Sequence, residues 1–527
     1  MRQAEGMLDQ NPANFDMYFA YAQMATARGE HPLLVCDHER LSYRDAEERS
    51  ADLARGLVAL GAGKGTHVGV LHPNGAAFVV AALAAARIGA VVVPFSTFST
   101  PAELRRQLRA ADVAILLATG GHRGNDFRGH LGEILGRELS DLAGPLLNPE
   151  LPQLRWLSFD LAVPEPDAVS AELIAAMADD VTGADPLAII YTSGSTSEPK
   201  GVVHTHAGLL GHQDNLNAIR GLSADDRLFC NSPFFWIGGF AFGLLATLVA
   251  GAELVCSNAT DPGAILDLIE AERPTVTNGF IAGIATLTRH PGFAGRDLSS
   301  LRRGNLYPIM APECRPADPE LRHNMLGLTE GGSVVLLDGD ESDQPEHRRG
   351  SYGRPAPGFS AKVIDAATGA ELRAGQVGEL CLRGPYLMAG YYGRRREECF
   401  DDDGWFHTGD LVRTDDDGYF YYLGRAGAMI KTAGANVAPP EVERAISAVT
   451  GAPAYVLGLP EMTRGEIVAA VVVADDPAAC DVEALRSELR NTLSAYKVPR
   501  RILVLRAGEV PLRSSGKPDL PALRALF

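Results

Sequence analysis

A short run rich in hydroxyl side chains and glycine carries the strongest chemical signal in the sequence. It follows an apolar stretch, Leu187–Tyr191, that is typical of a buried strand, and it extends from Thr192 to Gly201. Small residues let backbone N–H groups approach an anion, hydroxyls add donors, and Lys200 supplies a point charge. The run therefore predicts a loop that holds phosphate groups. An ordinary Ser/Thr/Gly surface loop is the alternative.

Further segments whose residues could take part in a reaction follow this run in the chain. Each would be weak as a single motif, because acids and lysines in turns are commonly just solvated. In order they are Gly327–Glu330, Gly404–Leu411, Gly424–Gly434, Glu441–Glu443 and Pro511–Lys517.

The order and spacing of these segments resemble the adenylate-forming superfamily. That superfamily holds acyl- and aryl-CoA ligases, luciferases and peptide-synthetase adenylation domains, and the likeness covers roughly residues 30–527. The resemblance to the acyl- and aryl-CoA ligase branch implies a two-step reaction. A carboxylic acid first attacks ATP to give an acyl-adenylate, and a thiol then displaces AMP. Spread negative charge in the first transition state requires cations aimed at it.

The resemblance also implies roles for particular residues. Thr329 would contact the α-phosphate, Glu330 would hold Mg²⁺, and Asp410 would accept hydrogen bonds from the ribose, with Arg425 nearby. Lys517 would bridge the acid and the α-phosphate in the first step. The remaining nucleotide positions by resemblance are Thr192, Ser193, Gly194, Ser195, Thr196, Lys200, Leu326 and Gly327.

The second half-reaction has its own implied residues. In this superfamily a small C-terminal domain swings between the two steps. Gly434 would then border the tunnel for the pantetheine arm of CoA, and Lys431 would lie on the face that enters the site. The implied cofactors and substrates are ATP or AMP, Mg²⁺, CoA and a carboxylic acid or its adenylate.

An aromatic segment predicts one wall of the acid pocket. Phe235, Trp236, Gly238 and Gly239 lie in an apolar run that a hydrophobic acid would require. The aromatic wall favours a bulky apolar acid. Plain core packing is the competing interpretation for the neighbouring Phe234 and Phe240.

Several positions depart from the family pattern on the adenylation side. Ser197 replaces a usual glycine, Leu326 stands where an aromatic commonly stacks on adenine, and residues 303–325 are shorter than usual. Trp236 replaces a common histidine, and Gly427 with Ala428 replaces a usual charged pair. Three readings stay open: an ATP-dependent acyl-CoA ligase, a member that only makes thioesters from preformed adenylates, and a stand-alone enzyme that loads a carrier protein. A catalytically inactive binding protein is disfavoured by Lys517 and Glu330.

The elements that must position these residues alternate between strands and helices. His67–Leu71 and the strand near Val93 flank helical segments, which predicts parallel α/β sheets. After about residue 350 short strands favour an antiparallel, β-barrel-like subdomain. We expect a large domain over 1–424, a hinge at 425–428 and a small mobile α+β domain over 429–527. Residues 121–150 are expected to be a surface excursion.

Composition limits the other classes of protein. The net charge is -18, with 48 Lys plus Arg against 66 Asp plus Glu, which disfavours nucleic-acid binding. The apolar stretches 75–95 and 238–256 are interrupted by charge or glycine and predict a buried helix followed by a strand rather than a membrane span. The cysteines are scattered and the first residues have no apolar signal core, so we expect a cytoplasmic protein with reduced thiols. The phosphate-loop look-alike at 61–66 follows a helix and precedes a strand, so it predicts a turn.

Overall fold

The computed structural model describes residues 16–139, 145–164, 169–192, 200–425, 429–474, 476–477, 480–511 and 518–527. Some predicted positions lie outside these ranges: Ser193, Gly194, Ser195, Thr196, Ser197, Gly427, Ala428 and Lys517.

The helices begin and end as follows within the described residues: α1 (Met17–Arg28), α2 (Tyr43–Ala59), α3 (Ala76–Arg87), α4 (Pro101–Ala110), α5 (Phe127–Leu135), α6 (Ala171–Asp179), α7 (His206–Arg220), α8 (Ile237–Gly239), α9 (Ala246–Ala250), α10 (Pro262–Glu272), α11 (Ile281–Thr288), α12 (Pro439–Thr450), α13 (Val482–Leu489) and α14 (Leu520–Ala525). A π-helical stretch, Phe240–Leu245, joins α8 to α9. None of the described helices is both long and apolar enough to cross a bilayer.

The strands of the described residues are β1 (Pro32–Cys36), β2 (Glu39–Ser42), β3 (His67–Leu71), β4 (Val91–Pro94), β5 (Ile115–Ala118), β6 (Gly121–His122), β7 (Asn125–Asp126), β8 (Trp156–Phe159), β9 (Pro186–Thr192), β10 (Lys200–Thr205), β11 (Arg227–Cys230), β12 (Glu253–Cys256), β13 (Val276–Asn278), β14 (Arg303–Gly304), β15 (Leu326–Leu328), β16 (Ser333–Leu337), β17 (Arg354–Pro355), β18 (Ser360–Ile364), β19 (Gly378–Arg383), β20 (Gly390–Tyr391), β21 (Phe406–Thr414), β22 (Phe420–Arg425), β23 (Ile430–Thr432), β24 (Ala435–Val437), β25 (Ala454–Glu461), β26 (Gly465–Val473) and β27 (Arg501–Leu505).

Two large sheets form the first part of the fold. In the described chain one has the order β14-β13-β11-β12-β1-β2 and the other β20-β10-β9-β4-β3-β5-β8. Most neighbouring strands run parallel, and antiparallel pairs occur at the edges, as in β10 with β9. The core strands read as continuous apolar runs because helices cover both faces. The predicted parallel α/β sheets are confirmed.

Helices α2 and α3 show why these segments fold as they do. Ser42 caps α2 in a capping box with Asp45, and the helix ends at Ala59. The alanine-rich α3 is buried on all sides between sheets, which is why its sequence looks like a membrane segment. A buried helix followed by a strand is confirmed for both apolar stretches.

Two antiparallel sheets complete the large domain. The orders β15-β16-β17 and β18-β19-β21-β22 were found among the described strands, and side chains of both sheets share one hydrophobic core. This is the antiparallel region that the short strands after residue 350 predict.

The C-terminal part forms its own small α+β unit. Strands β24-β23-β26-β25 make a sheet, with β27 beside β26, and α12 and α13 cover it. Its hydrophobic clusters contain only residues from Ile430 onward. The fold class, α/β with a small α+β C-terminal domain, is confirmed, while the boundaries 1–424, 425–428 and 429–527 stay predictions.

Most described residues of 121–150 lie at the surface, as expected, but helix α5 anchors this stretch to the core. Phe127 and Leu131 of α5 are fully buried, and they pack in the cluster that contains Leu116 and Leu104. Spacing at i, i+4 on a helix brings these side chains onto one face. The glycines and charged residues within α5 lie between its buried positions.

Candidate functional site

One cavity collects most of the predicted site residues. Its volume is about 530 Å³, within the usual size of ligand pockets, and its walls come from both large sheets, the antiparallel sheets and the C-terminal domain. The predicted residues that line it are Thr192, Lys200, Phe235, Trp236, Gly238, Leu326, Gly327, Thr329, Glu330, Asp410, Lys431 and Gly434.

The two ends of the hydroxyl-rich run lie at this cavity. Thr192 ends β9 and Lys200 begins β10, and the two are partners in the antiparallel pair. Both residues line the cavity, which Asp410 also lines. The residues between them, 193–199, lie outside the described ranges. The two described ends of the run therefore lie at the cavity.

Glu330 is held in the cavity wall by an aromatic residue. It lies in the tight turn Thr329–Gly331 after β15 and is 9% exposed. The hydroxyl of Tyr391 donates to Glu330 Oε1 at 2.7 Å, and the Lys200 ammonium lies 5.1 Å from the centre of the Tyr391 ring. Tyr391 thus orients the carboxylate and faces the cation beside it.

Thr329 is positioned through its main chain. The Nε2–H of His204 donates to the Thr329 carbonyl at 2.8 Å, and burial lowers the pKa of His204 to about 4. The imidazole is therefore neutral at pH 7, with a hydrogen on Nε2 and none required on Nδ1. This buried contact fixes the turn that presents Thr329 and Glu330 to the cavity.

Asp410 lies within β21, at an irregularity in the pairing of β21 with β19 where Gly409 has φ +73°. The Gly409 N–H donates to Glu379 Oε1 at 2.8 Å, and the Asp410 N–H donates to Thr408 Oγ1 at 3.0 Å. The Asp410 backbone is paired with that of Arg425 on β22, whose side chain lies outside the described part. Asp410 is one of the residues that line the cavity.

The predicted aromatic wall exists and extends beyond the predicted residues. Phe235 and Trp236 have ring centres 5.5 Å apart, and both contact Phe98. Trp236 also meets Phe280 edge to face at 5.9 Å. These rings make one side of the cavity apolar.

The glycine pair after Trp236 divides between two roles. Gly238 lines the cavity, and a methyl group there would have only Ser232 Oγ nearby, at 3.9 Å. Gly239 does not line it: a methyl group would lie 2.0 Å from the Pro233 carbonyl oxygen. Gly239 therefore permits a close backbone approach rather than contacting a ligand.

Phe234 and Phe240 belong to the core. Both are completely buried, and each packs edge to face on Phe78. The competing interpretation of these two residues, plain core packing, is confirmed.

Gly434 joins the C-terminal domain to the aromatic wall. Its φ is +86°, and a methyl group on it would lie 2.5 Å from Phe280 Cγ. The glycine thus rests directly on the Phe280 ring. Phe280 itself is clamped by Asn231, whose side chain accepts from the Phe280 N–H at 2.9 Å and donates to its carbonyl at 3.1 Å.

Lys431 is exposed at the same edge of the C-terminal domain. Its N–H donates to Glu466 Oε2 at 2.8 Å, and its ammonium lies 4.7 Å from the centre of the Tyr422 ring. Tyr422 and the neighbouring Tyr352 both line the cavity.

Leu326 offers no aromatic face to the cavity. It is 4% exposed and packs in the shared core of the antiparallel sheets. The segment before it contains three short 3₁₀ turns. These are the departures that the sequence places on the adenine side.

Sequence reasoning missed several residues of this site. Phe280, Glu103 and Lys497 line the cavity, and Tyr391 supports the cavity residue Glu330 through its hydroxyl. A lysine between Tyr496 and Val498 in an apolar run is a usable signal, because a buried lysine needs a partner. The contacts of Tyr391 and Phe280 depend on distant chain segments and leave no local pattern.

The cavity residues fit the groups that the resemblance implies. Glu330 offers a hard, oriented carboxylate oxygen of the kind that Mg²⁺ prefers. Gly327 and Gly434 both line the cavity, and the absence of a side chain on Gly434 lets its backbone pack directly on the Phe280 ring.

Comparisons with known proteins agree with this geometry. A model of the AMP-binding enzyme family matches residues 21–392, and a model of the AMP-binding enzyme C-terminal domain matches residues 441–517. A feruloyl-CoA synthase of Amycolatopsis sp is 33% identical over 488 residues, covering 90% of this chain and 92% of that protein. A sulfoacetate–CoA ligase of Cupriavidus necator is 31% identical over 485 residues, covering 88% of each chain.

Solved structures support the fold. The amide bond synthetase McbA from Marinactinospora thermotolerans superposes with a TM-score of 0.78 at 25% identity, covering 96% of this chain and 99% of that chain. The first family model spans well over half of the sequence. The chain therefore belongs to the AMP-binding enzymes, in the acyl-CoA ligase branch of the adenylate-forming superfamily, and is an AMP-forming acid–thiol ligase.

Proposed function

We propose that this enzyme converts a bulky apolar carboxylic acid, ATP and CoA into acyl-CoA, AMP and pyrophosphate through an acyl-adenylate. One observation carries the proposal. The same cavity is lined by Thr329, Glu330 and Asp410, which we assign to the nucleotide, and by Lys431 and Gly434, which we assign to the thiol step.

In the first step a carboxylate oxygen bonds to the α-phosphorus of ATP, and the bond to pyrophosphate breaks. Lys200 and the Thr329 hydroxyl would face the phosphates, and Asp410 would accept from the ribose hydroxyls. Mg²⁺ held by Glu330 would neutralise phosphate charge. Lys517 would bridge the acid and the α-phosphate; it lies outside the described residues.

In the second step the thiol sulfur bonds to the acyl carbon, and the carbon–oxygen bond to AMP breaks. AMP leaves with the electron pair, and the thiol proton passes to solvent. The mixed anhydride is already activated, so the protein mainly has to align sulfur and carbonyl. The pantetheine arm would enter the cavity beside Gly434, where Phe280 and Trp236 also line it.

The orientation of the C-terminal domain supports assigning this arrangement to the second step. Lys431 and Gly434 are at the cavity, whereas adenylation requires Lys517 there. We therefore propose that the domain rotates at 425–428 between the two steps.

The apolar acid is supported by the wall of Phe235, Trp236 and Phe280. By their names, one of the two relatives above acts on an aromatic acid and the other on a sulfonated acid. Similarity to these relatives therefore does not identify the acid that this enzyme uses.

A second candidate is a member that makes thioesters from preformed adenylates but adenylates poorly. Leu326 favours it, because a buried aliphatic side chain replaces an aromatic that would stack on adenine.

The experiment measures both half-reactions separately. Pyrophosphate release is followed across a panel of aryl, fatty and polycyclic acids, and CoA consumption is followed with their synthetic adenylates. The main proposal expects both activities with one class of acid. Thioester formation alone would establish the second candidate, and neither activity with any acid would refute both.

Two additions separate the remaining alternatives. Lys517→Ala is expected to abolish pyrophosphate release and to spare thioester formation from added adenylate; equal loss in both would contradict the assigned role. A phosphopantetheinylated carrier protein is offered in place of CoA. Faster acylation of the carrier than of CoA would overturn CoA as the acceptor.

A further inference from the structure

A buried ion pair joins helix α4 of the large domain to the C-terminal domain. The Lys497 ammonium donates to Glu103 Oε1 at 2.7 Å and to Glu441 Oε1 at 3.0 Å. The Ser494 N–H donates to Glu103 Oε1 at 3.3 Å, and the Ser494 hydroxyl donates to Glu103 Oε2. Glu103 therefore receives donors from two residues of the other domain.

The charges in this contact are withdrawn from water. The side chains of Lys497 and Glu103 are 9% and 4% exposed. Burial would raise the pKa of Glu103, but Lys497, Ser494 and the Thr100 N–H outweigh it and hold that pKa below its usual value. Burial likewise opposes the charge on Lys497, but Tyr496, Glu103 and Glu441 raise its pKa. Both groups are charged across the neutral range.

Glu103 is already fixed on its own side of the interface. It is the third residue of α4 and forms a capping box with Thr100, whose N–H donates to Glu103 Oε2 at 2.9 Å. The carboxylate is thus held toward the interface by its own helix. Lys497 and Ser494 meet an acceptor that does not need to reorganise.

The contact borders the cavity of the candidate site. Glu103, Ser494 and Lys497 line the same cavity as Phe280 and Gly434. A buried ion pair adds little net stability, yet removing one partner leaves an uncompensated charge, so such a pair mainly selects one geometry. Because the partners belong to different domains, rotation at 425–428 would separate them.

We propose that Glu103 and Lys497 are positioning residues for thioester formation: their ion pair selects the orientation that brings Gly434 and Lys431 to the cavity. This rests on the proposed function, since it requires two domain orientations. Neither residue needs to touch the reacting atoms.

The test uses substitutions that preserve the local structure. Glu103→Gln keeps the capping box, because glutamine serves at that position, and removes the charge that faces Lys497. Lys497→Met keeps the apolar stem. Single-turnover thioester formation from a synthetic adenylate and CoA is compared with pyrophosphate exchange in the same full-length protein.

The control is Glu47→Gln. Glu47 pairs at 2.9 Å with Arg87, whose side chain is 4% exposed, and both residues lie within the large domain. This ion pair is also buried on its basic side but does not cross the interface. Melting temperatures are recorded for all variants.

Glu103→Gln and Lys497→Met are expected to slow thioester formation at least tenfold, about 1.4 kcal/mol, and to leave adenylation unchanged or faster. Glu47→Gln is expected to change both half-reactions by the same factor. An unchanged ratio in the Glu103 and Lys497 variants would overturn the proposal. If the unsubstituted enzyme makes no thioester from any adenylate, the proposed function fails instead, so the two failures are distinguishable.

Discussion

Replacing Gly434 by alanine tests where the C-terminal domain docks during thioester formation. The added methyl group would lie 2.5 Å, 2.6 Å and 2.9 Å from three atoms of the Phe280 ring. The ring cannot easily move away, because Asn231 clamps the Phe280 backbone on both its N–H and its carbonyl. Trp236 packs against the ring as well.

The substitution has two energetic costs, and only one of them depends on the orientation of the C-terminal domain. A methyl group at φ +86° costs about 1–2 kcal/mol of backbone strain in either orientation. The collision with Phe280 exists only when Gly434 lies at the cavity, and overpacking of this kind costs about 1–3 kcal/mol. The second cost alone predicts that thioester formation slows by about 5- to 150-fold relative to adenylation.

The assay is single-turnover thioester formation from a synthetic adenylate, beside pyrophosphate exchange. Gly451→Ala is the matched control: Gly451 has φ +68° in the same domain, and a methyl group there meets nothing within 4 Å. It should reproduce the strain and leave the ratio of half-reactions unchanged. If the two effects were independent, the double variant Gly434→Ala, Phe280→Ala would slow thioester formation by the product of the two single effects. It should slow the step by less than that product, because removing the ring also removes the collision.

The reasoning about the docked orientation would be refuted by a Gly434→Ala enzyme with a normal ratio of half-reactions. Equal slowing of both steps would also refute it, because strain alone would then explain the result.

Three further predictions concern other parts of the site and core. Tyr391→Phe removes the hydroxyl that donates to Glu330 Oε1 at 2.7 Å and should raise the Mg²⁺ concentration needed for pyrophosphate release about 10- to 100-fold; an unchanged Mg²⁺ titration would contradict the orienting role. Gly239→Ala places a methyl group 2.0 Å from the Pro233 carbonyl and should lower the free energy of unfolding by about 1–3 kcal/mol in urea, whereas Gly238→Ala should keep stability and shift the preference among acids; the reverse pattern would exchange their roles. Burial lowers the pKa of four histidines to about 4, below an unfolded value near 6.5, so the unfolded chain binds protons first as the pH falls. The free energy of unfolding should therefore fall between pH 6.5 and 4, by up to about 1.4 kcal/mol per pH unit for each histidine. Urea midpoints at pH 7.5, 6 and 5 that coincide would disprove this for the group His72, His204, His206 and His212.

Local patterns were sufficient for much of the fold. His67–Leu71 is a strand with the predicted bounds, and Gly378–Arg383 lies in the predicted antiparallel region, because their apolar residues and flanking turns are contiguous in sequence. The helix after Ser42 follows from its capping box and its apolar spacing. The sequence did not reveal α5 within 121–150, because this helix is short and contains glycines and charged residues between its buried positions.

For the site, too, continuous motifs predicted some residues, and contacts between distant segments decided the rest. Motifs with a fixed order placed Thr329, Glu330, Asp410, Lys431 and Gly434, and these do line one cavity. The motif around Gly239 could not distinguish ligand contact from backbone packing. That distinction depends on where the Pro233 carbonyl lies, which is set by the fold of the turn.

What the sequence by itself determined is the family, and through that resemblance it predicts phosphate-holding hydroxyls, Glu330 and Asp410 for the nucleotide, and Gly434 and Lys431 for the thiol step. The motifs that carry the resemblance are each continuous in the chain, so the sequence was sufficient to find them. Only the tertiary structure decided that Glu103 meets Lys497 and that Gly434 rests on Phe280. These contacts join residues 394 and 154 positions apart, and their geometry depends on how two separately folded domains dock, which no local pattern encodes.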